Sequence, residues 1–337
     1  MELSEFWFVL VSILFIGFFF LEGFDFGVGM ATRFLARDQL ERTVLVNTIG
    51  PVWDANEVWL ITGAGAIFAA FPHWYATMFS GYYLPLLLVL LCLIARGVSF
   101  EFRRKGPNAQ WTNTWDWSIF ISSLFTPFLL GILFTSMLRG MPIQKDMNMT
   151  AGFSDVINIY SVWGGLTITL LCFLHGLYFL ALKTEDSLRK RAREMAKKLI
   201  PFVLGAVVVF VVLSWTMTDI FVVRRVPELI LMNIIVLAYG LSYIFISKKK
   251  EGFAFTMSGV GLISTIAAIF IGLFPRVMIS SIDKAFDLTV YNAASGPYSL
   301  KIMTIVSLTI LPFVIGYTIW SYYVFRKRVS AKEHLTY

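Results

Sequence analysis

Glu22 and Asp25 stand three residues apart inside one unbroken apolar stretch, and Asp54 and Glu57 repeat that spacing at the start of the next. On a helix such pairs share a face. Arg96 lies near the end of a third apolar stretch, and Asp116 opens a fourth. Carboxyls balanced between burial and a neighbouring guanidinium can exchange protons near neutral pH. A plainer account covers some of these residues. An acid in the first turn of a helix is favoured by the helix dipole, which suffices for Asp116 and Asp54. Arg96 can extend its head to the headgroup region. Glu22 and Asp25 have no such explanation, because an ionised side chain at mid-bilayer costs at least ~2.5–3.5 kcal/mol.

The elements that carry these residues are membrane spans. The 337-residue chain is 58% hydrophobic and 15% charged, against roughly 45–50% and about 25% in a soluble domain. One soluble core cannot hide that surplus, so a soluble enzyme is excluded. The net charge of +7 does not indicate a nucleic-acid partner, because the basic residues form short runs between apolar stretches. A bilayer core needs about 20 apolar residues per helix. Nine stretches qualify: 6–34, 52–71, 75–98, 116–138, 156–182, 201–223, 229–246, 253–275 and 301–325. The first lacks a basic start and is too long for a cleavable signal peptide. With the N-terminus outside and the C-terminus inside, three quarters of the 28 Lys and Arg residues face the cytoplasm, as the positive-inside rule requires. At 1.5 Å per residue, Asp25 then lies roughly 12 Å above the inner boundary, with Asp54 and Glu57 roughly 5 and 9 Å up. Four helices thus place charge in the cytoplasmic half of one bundle.

An internal repeat organises the spans. Phe20-Leu21-Glu22-Gly23-Phe24-Asp25-Phe26 matches Phe173-Leu174-His175-Gly176-Leu177-Tyr178-Phe179 in the frame F-L-x-G-x-x-F, and Pro51 answers Pro201. The expected fold is an all-α polytopic membrane protein, N-out and C-in, with nine transmembrane helices as two four-helix bundles plus one additional helix. Residues 1–140 form the first bundle with the acidic cluster, 141–276 the second as scaffold, and 277–337 the ninth helix and tail. Gly23 and Gly27 allow close helix approach, and Pro85, Pro127 and Pro312 are candidate kinks. The basic run 183–198 reads as positive-inside topology or an interfacial helix on anionic lipid. Cys92 and Cys172 each lie in an apolar run and form neither a metal-ligand spacing nor a disulfide framework. No phosphate loop, nucleophile–base pair or zinc motif is present.

The same residues carry a family resemblance. Gly23-Phe24-Asp25-Phe26-Gly27-Val28-Gly29 is followed by the run NTIGPVWDANEVWLI from Asn47 to Ile61. Phe71-Pro72, Phe79-Ser80-Gly81-Tyr82-Tyr83, Arg96, Phe100-Glu101-Phe102-Arg103 and Trp115-Asp116-Trp117 come next in order. Over about residues 17–117 this resembles subunit II of cytochrome bd-type quinol oxidase. Beyond that the resemblance rests on span count and the two-bundle plan. It implies a complex in the bacterial cytoplasmic membrane that oxidises quinol and reduces O₂ to water. Haem b and haem d would be ligated by subunit I, while subunit II stabilises that partner and offers a cytoplasmic proton route. Asp25, Trp53, Asp54, Arg96 and Asp116 fall on motif positions. At Glu22 and Glu57 relatives can carry Asp or Gln, and Glu57 adds a titratable group that Gln would not.

Expected participants are therefore a proton pathway of Asp25, Asp54, Glu57, Glu22 and Asp116, with Arg96 and Trp53 as structural partners. Catalytic, cofactor-binding and metal residues are not expected in this chain. A structural quinone, a small single-helix subunit and membrane lipids are further candidate partners. Bis-imidazole haem ligation needs two histidines at compatible depth. Of His73, His175 and His334, only His175 is well inside a span. Two other readings stand beside this one. A proton-coupled secondary transporter would also carry repeats, buried acids and prolines, but with its site between the halves at mid-bilayer. A purely structural subunit would use the buried pairs for assembly alone.

Overall fold

The computed structural model describes residues 2–106 and 108–330. The described helices are α1 (Leu3–Phe34), α2 (Gln39–Ile49), α3 (Trp53–Ala70), α4 (Pro72–Gly81), α5 (Tyr83–Phe102), α6 (Ala109–Arg139), α7 (Phe153–Val156), α8 (Ile159–Lys183), α9 (Asp186–Met217), α10 (Ile220–Val223), α11 (Arg225–Ser247), α12 (Glu251–Leu273) and α13 (Pro297–Val324). A short antiparallel pair, β1 (Arg276–Met278) and β2 (Leu288–Thr289), precedes α13. Eight described helices are long and apolar enough to cross a membrane: α1, α5, α6, α8, α9, α11, α12 and α13. The expected second span is α3. It has 18 residues, and Asp54, Asn56 and Glu57 in its opening turns set it apart from the eight.

Three expected boundaries move, each for a local reason. Stretch 75–98 is divided at Tyr82, where α4 ends and α5 begins. Pro85 therefore sits in the first turn of α5, a position that tolerates proline, and is not an interior kink. Pro127 and Pro312 do lie inside α6 and α13. The fourth span starts earlier than expected, because Asn108 caps α6 by accepting from the Trp111 amide at 2.8 Å. Asp116 is thus about two turns inside α6 and does not open it. The expected sixth span belongs to α9, which starts at Asp186, and Pro201 lies within it, whereas Pro51 occupies a turn. The two prolines are not structural counterparts. The basic run is the first part of α9, anchored by Arg191 to Glu41 at 2.6 Å and by Arg189 and Arg193 to Glu251 at 2.9 Å each.

Helix α1 is the axis of the molecule, packing against α2, α3, α6, α8, α12 and α13. Its crossing with α8 brings the two copies of the sequence frame face to face. A Cβ on Gly27 would fall 2.6 Å from the Gly176 Cα, so neither position has room for a side chain. At one end, residues 140–150 and 276–296 form a cap. Met141 N–H donates to the Ile279 carbonyl at 2.9 Å, and Ser295 N–H donates to the Ala70 carbonyl at 2.8 Å. At the other end, residues 325–329 cross the end of α8: Val329 N–H donates to the Lys183 carbonyl at 2.8 Å. Helix α13 buries Leu300 but leaves Phe313, Tyr317 and Trp320 uncovered.

Candidate functional site

The first cluster is built from α1, α3, α5 and α13. The i, i+3 spacing turns Glu22 and Asp25 to the same side of α1, and both are fully buried. Arg96 reaches in from α5, also fully buried, and its Nη1 pairs with Oε1 of Glu22 and, at 3.1 Å, with Oε1 of Glu57 on α3. The guanidinium lies 4.8 Å from the Phe26 ring and 5.3 Å from that of Phe100. Trp53 is half-buried with its ring 5.0 Å from Phe100, so it packs beside the arginine's aromatic support. Arg96 therefore does not extend to the surface: it bridges two acids from two helices.

Asp25 has a different partner. Its Oδ2 accepts from Asn56 Nδ2 at 2.7 Å, and the Asn56 Oδ1 accepts from the Tyr322 hydroxyl at 2.7 Å. Sequence reasoning named neither Asn56 nor Tyr322. Asn56 stood inside a quoted motif, but Tyr322 lies 266 residues from it and carries no local signal. Glu22 Oε2, Asp25 Oδ1 and Arg96 Nε and Nη2 are buried with no partner among the described residues. Buried polar atoms are nearly always satisfied, so these four mark where water or another subunit completes the network. Asp54 is exposed at the start of α3, one turn before Glu57.

Asp116 joins a second cluster. Its Oδ1 accepts from Arg103 Nε at 2.6 Å and its Oδ2 from Gln39 Nε2 at 3.0 Å, with Arg42 at 4.0 Å. Arg103 Nη1 also donates to Thr43 Oγ1 at 3.0 Å. This group ties α2, α5 and α6 together and makes no bond with Glu22, Asp25 or Arg96. Of its members not assigned a role from sequence, Arg103 stood inside a quoted motif, and Gln39 looks like an ordinary loop-flanking polar residue.

His175 is fully buried, its Nδ1 is 2.7 Å from Ser258 Oγ, and its ring stacks on Phe255 at 4.4 Å with Phe20 and Phe24 alongside. Its Nε2 is buried with no partner among the described residues. His73 is exposed on α4, and His334 lies outside the described residues.

Fold and site define a multi-pass helical membrane protein with an acid–arginine network buried between its spans. The pattern of the family described as Cytochrome bd terminal oxidase subunit II matches residues 3–325. The chain is 61% identical over 336 residues to Cytochrome bd ubiquinol oxidase subunit 2 of Bacillus subtilis (strain 168), covering 100% of this chain and 99% of that one. It is 34% identical to Cytochrome bd-I ubiquinol oxidase subunit 2 of Escherichia coli (strain K12), covering 97% and 95%. Its fold is similar to that in the structure of bd oxidase from Geobacillus thermodenitrificans, with a TM-score of 0.77 at 17% identity, over 97% of this chain and 100% of that one. The chain belongs to the cytochrome bd terminal oxidase subunit II family, and so is a component of an oxidoreductase complex in a bacterial membrane.

Proposed function

We propose that this chain supports a haem-bearing subunit I in a complex that oxidises quinol and reduces O₂ to water, and that it delivers protons to that chemistry. The observation that carries this reading is the buried bridge from Glu57 through Arg96 to Glu22, with exposed Asp54 one turn before Glu57 on α3 and Asp25 one turn from Glu22 on α1, bonded to Asn56. Asp54 takes protons at the cytoplasmic mouth, Glu57 lies deeper, and Asp25 with Glu22 forms the inner end. Arg96 holds the two glutamates at fixed positions and offsets their charge, and Trp53 packs its helix. Asp116, held by Arg103, supplies an acid at the neighbouring α5–α6 mouth.

Haem b and haem d supply the redox chemistry of the complex and are assigned to the partner, because His175 is the one described histidine buried within a span and bis-imidazole ligation needs two. A structural quinone and a small single-helix subunit fit the same assembly. In this reading α3 counts as a span, giving nine with N-out and C-in. The halves 1–140 and 141–276 are two bundles meeting at the Gly27–Gly176 crossing, followed by 277–337. The test is quinol-driven O₂ consumption in proteoliposomes, normalised to haem. Asp25→Asn should turn over slowly with a normal haem spectrum, and Asp25→Glu should recover part of the rate. Wild-type turnover per haem in Asp25→Asn would make Asp25 structural.

A further inference from the structure

Between α1, α8, α12 and the last turns of α13 lies a cavity of about 780 Å³. Phe20, Phe24, Phe179, Phe255, Ile319 and Tyr322 give it apolar walls. Its rim is basic: Lys183, Arg326, Lys327 and Arg328 all line it, and among the described residues no Asp or Glu does. The rim is also organised. Lys183 Nζ donates to the carbonyls of Phe325 and Lys327, and Arg328 Nη1 donates to the Thr184 carbonyl at 2.6 Å and to that of Ala181 at 3.3 Å. Carbonyl oxygens orient these cations but bring no negative charge. Two acids act on Arg328 from nearby, Glu185 and Glu251, and Glu251 is already engaged by Arg189 and Arg193. Burial, and then the like charge of Arg189, hold Arg328 below its ordinary affinity for its proton, with partial relief from Glu251 and Glu185. Among the described residues the rim thus gathers four cations with no carboxylate lining it.

We propose that this cavity binds one anionic phospholipid from the leaflet at the basic face. Its phosphate would lie against Arg326 and Lys327, with Lys183 and Arg328 behind, and one acyl chain would run between the phenylalanines and α13. An apolar chamber with a cationic mouth fits an amphiphile. A small soluble anion would leave the chamber unused, and a neutral headgroup would leave the rim without counter-charge. The seat has a consequence for α13, which this chain otherwise covers little: the acyl chain fastens its last turns to α1 and α8. It also lies against Tyr322, whose hydroxyl bonds Asn56 beside Asp25.

The experiment uses the whole complex, extracted in mild detergent, with bound lipid quantified by native mass spectrometry. The wild type should retain phosphatidylglycerol. The double variant Arg326→Gln/Lys327→Gln, at two exposed positions, and Thr318→Trp, which fills the chamber, should each reduce retention by about tenfold or more. Excess inorganic phosphate should not displace the lipid. Independently of any variant, wild-type complex reloaded from vesicles of equal phosphatidylglycerol and phosphatidylcholine should take up the anionic lipid with at least about tenfold preference. Unchanged retention in both variants, equal uptake of the two lipids, displacement by phosphate alone, or a quinone held in the cavity would each overturn the proposal.

Discussion

Asp25 and Asp54 are separated by their surroundings more than by their chemistry. Asp25 is fully buried and bonded to Asn56, whereas Asp54 is exposed. Replacing either by Asn keeps the shape and removes the exchangeable acid. Asp25→Asn should be the harsher change in O₂ consumption per haem, because water can stand in for a side chain at the surface but not easily at a buried one. Equal loss in both variants would contradict the depth order. Arg96 makes a separate prediction. Removing one partner of a buried ion pair costs roughly 3–5 kcal/mol, and Arg96 serves two acids. Arg96→Ala should therefore lower assembled, haem-loaded complex, and Arg96→Lys should lower it less; haem content of purified membranes is the readout. The acids and Arg96 were legible in the sequence because charge inside an apolar stretch stands out. Asn56, Tyr322, Gln39 and Arg103 were not, since a neutral or boundary polar residue gains meaning only from what it touches.

The crossing of α1 and α8 is the element on which both halves depend. A side chain at Gly176 would overlap the Gly27 backbone, so Gly176→Leu should separate the helices at a cost of about 1–3 kcal/mol or more. Reduced yield of folded chain would report it, and wild-type yield and thermal stability would contradict it. At the capped end, Arg276 holds Asp219 by two bonds of 2.6 and 2.8 Å. That hydrogen bonding, against some burial, keeps the Asp219 carboxyl below its ordinary range. A depressed carboxyl stabilises the fold above its unfolded pKa of about 3.9, and the contribution is lost as pH falls through the folded value. Arg276→Ala should cost about 1 kcal/mol near neutral pH, and the difference from wild type should shrink below about pH 4; thermal unfolding across pH checks this. The repeat frame was legible because it recurs in sequence, and the structure places its two copies against each other. The starts of α6 and α9 were not, because polar turns outside the apolar stretch continue a helix when a cap or ion pair holds them. The division of α4 from α5 was hidden inside an apolar run that gives no sign of a turn.

At the scale of the whole molecule, the charge network lies in the first half, and the corresponding residues of the second half, His175 and Tyr178, bond to Ser258 and Ser242. The second half has a buried acid of its own, Glu228, whose Oε1 has no partner among the described residues, so buried acids are not confined to the first half. Because His175 is the one described histidine buried within a span and bis-imidazole ligation needs two, the chain expressed without its partner should purify without stoichiometric haem; one haem per isolated chain would contradict this. Membrane class and family were legible from composition and motifs, while the lipid-sized cavity was not, because its walls come from residues more than 300 positions apart. The central claim is that protons enter through Asp54 and Asp25 from the basic face. It is tested most directly by reconstituting the complex in one orientation with a pH indicator on that side and following proton uptake during quinol oxidation. The wild type should draw protons from the indicator side, and Asp25→Asn, at equal haem content and with an unchanged spectrum, should draw them markedly more slowly. Uptake at the wild-type rate in Asp25→Asn would place the route elsewhere.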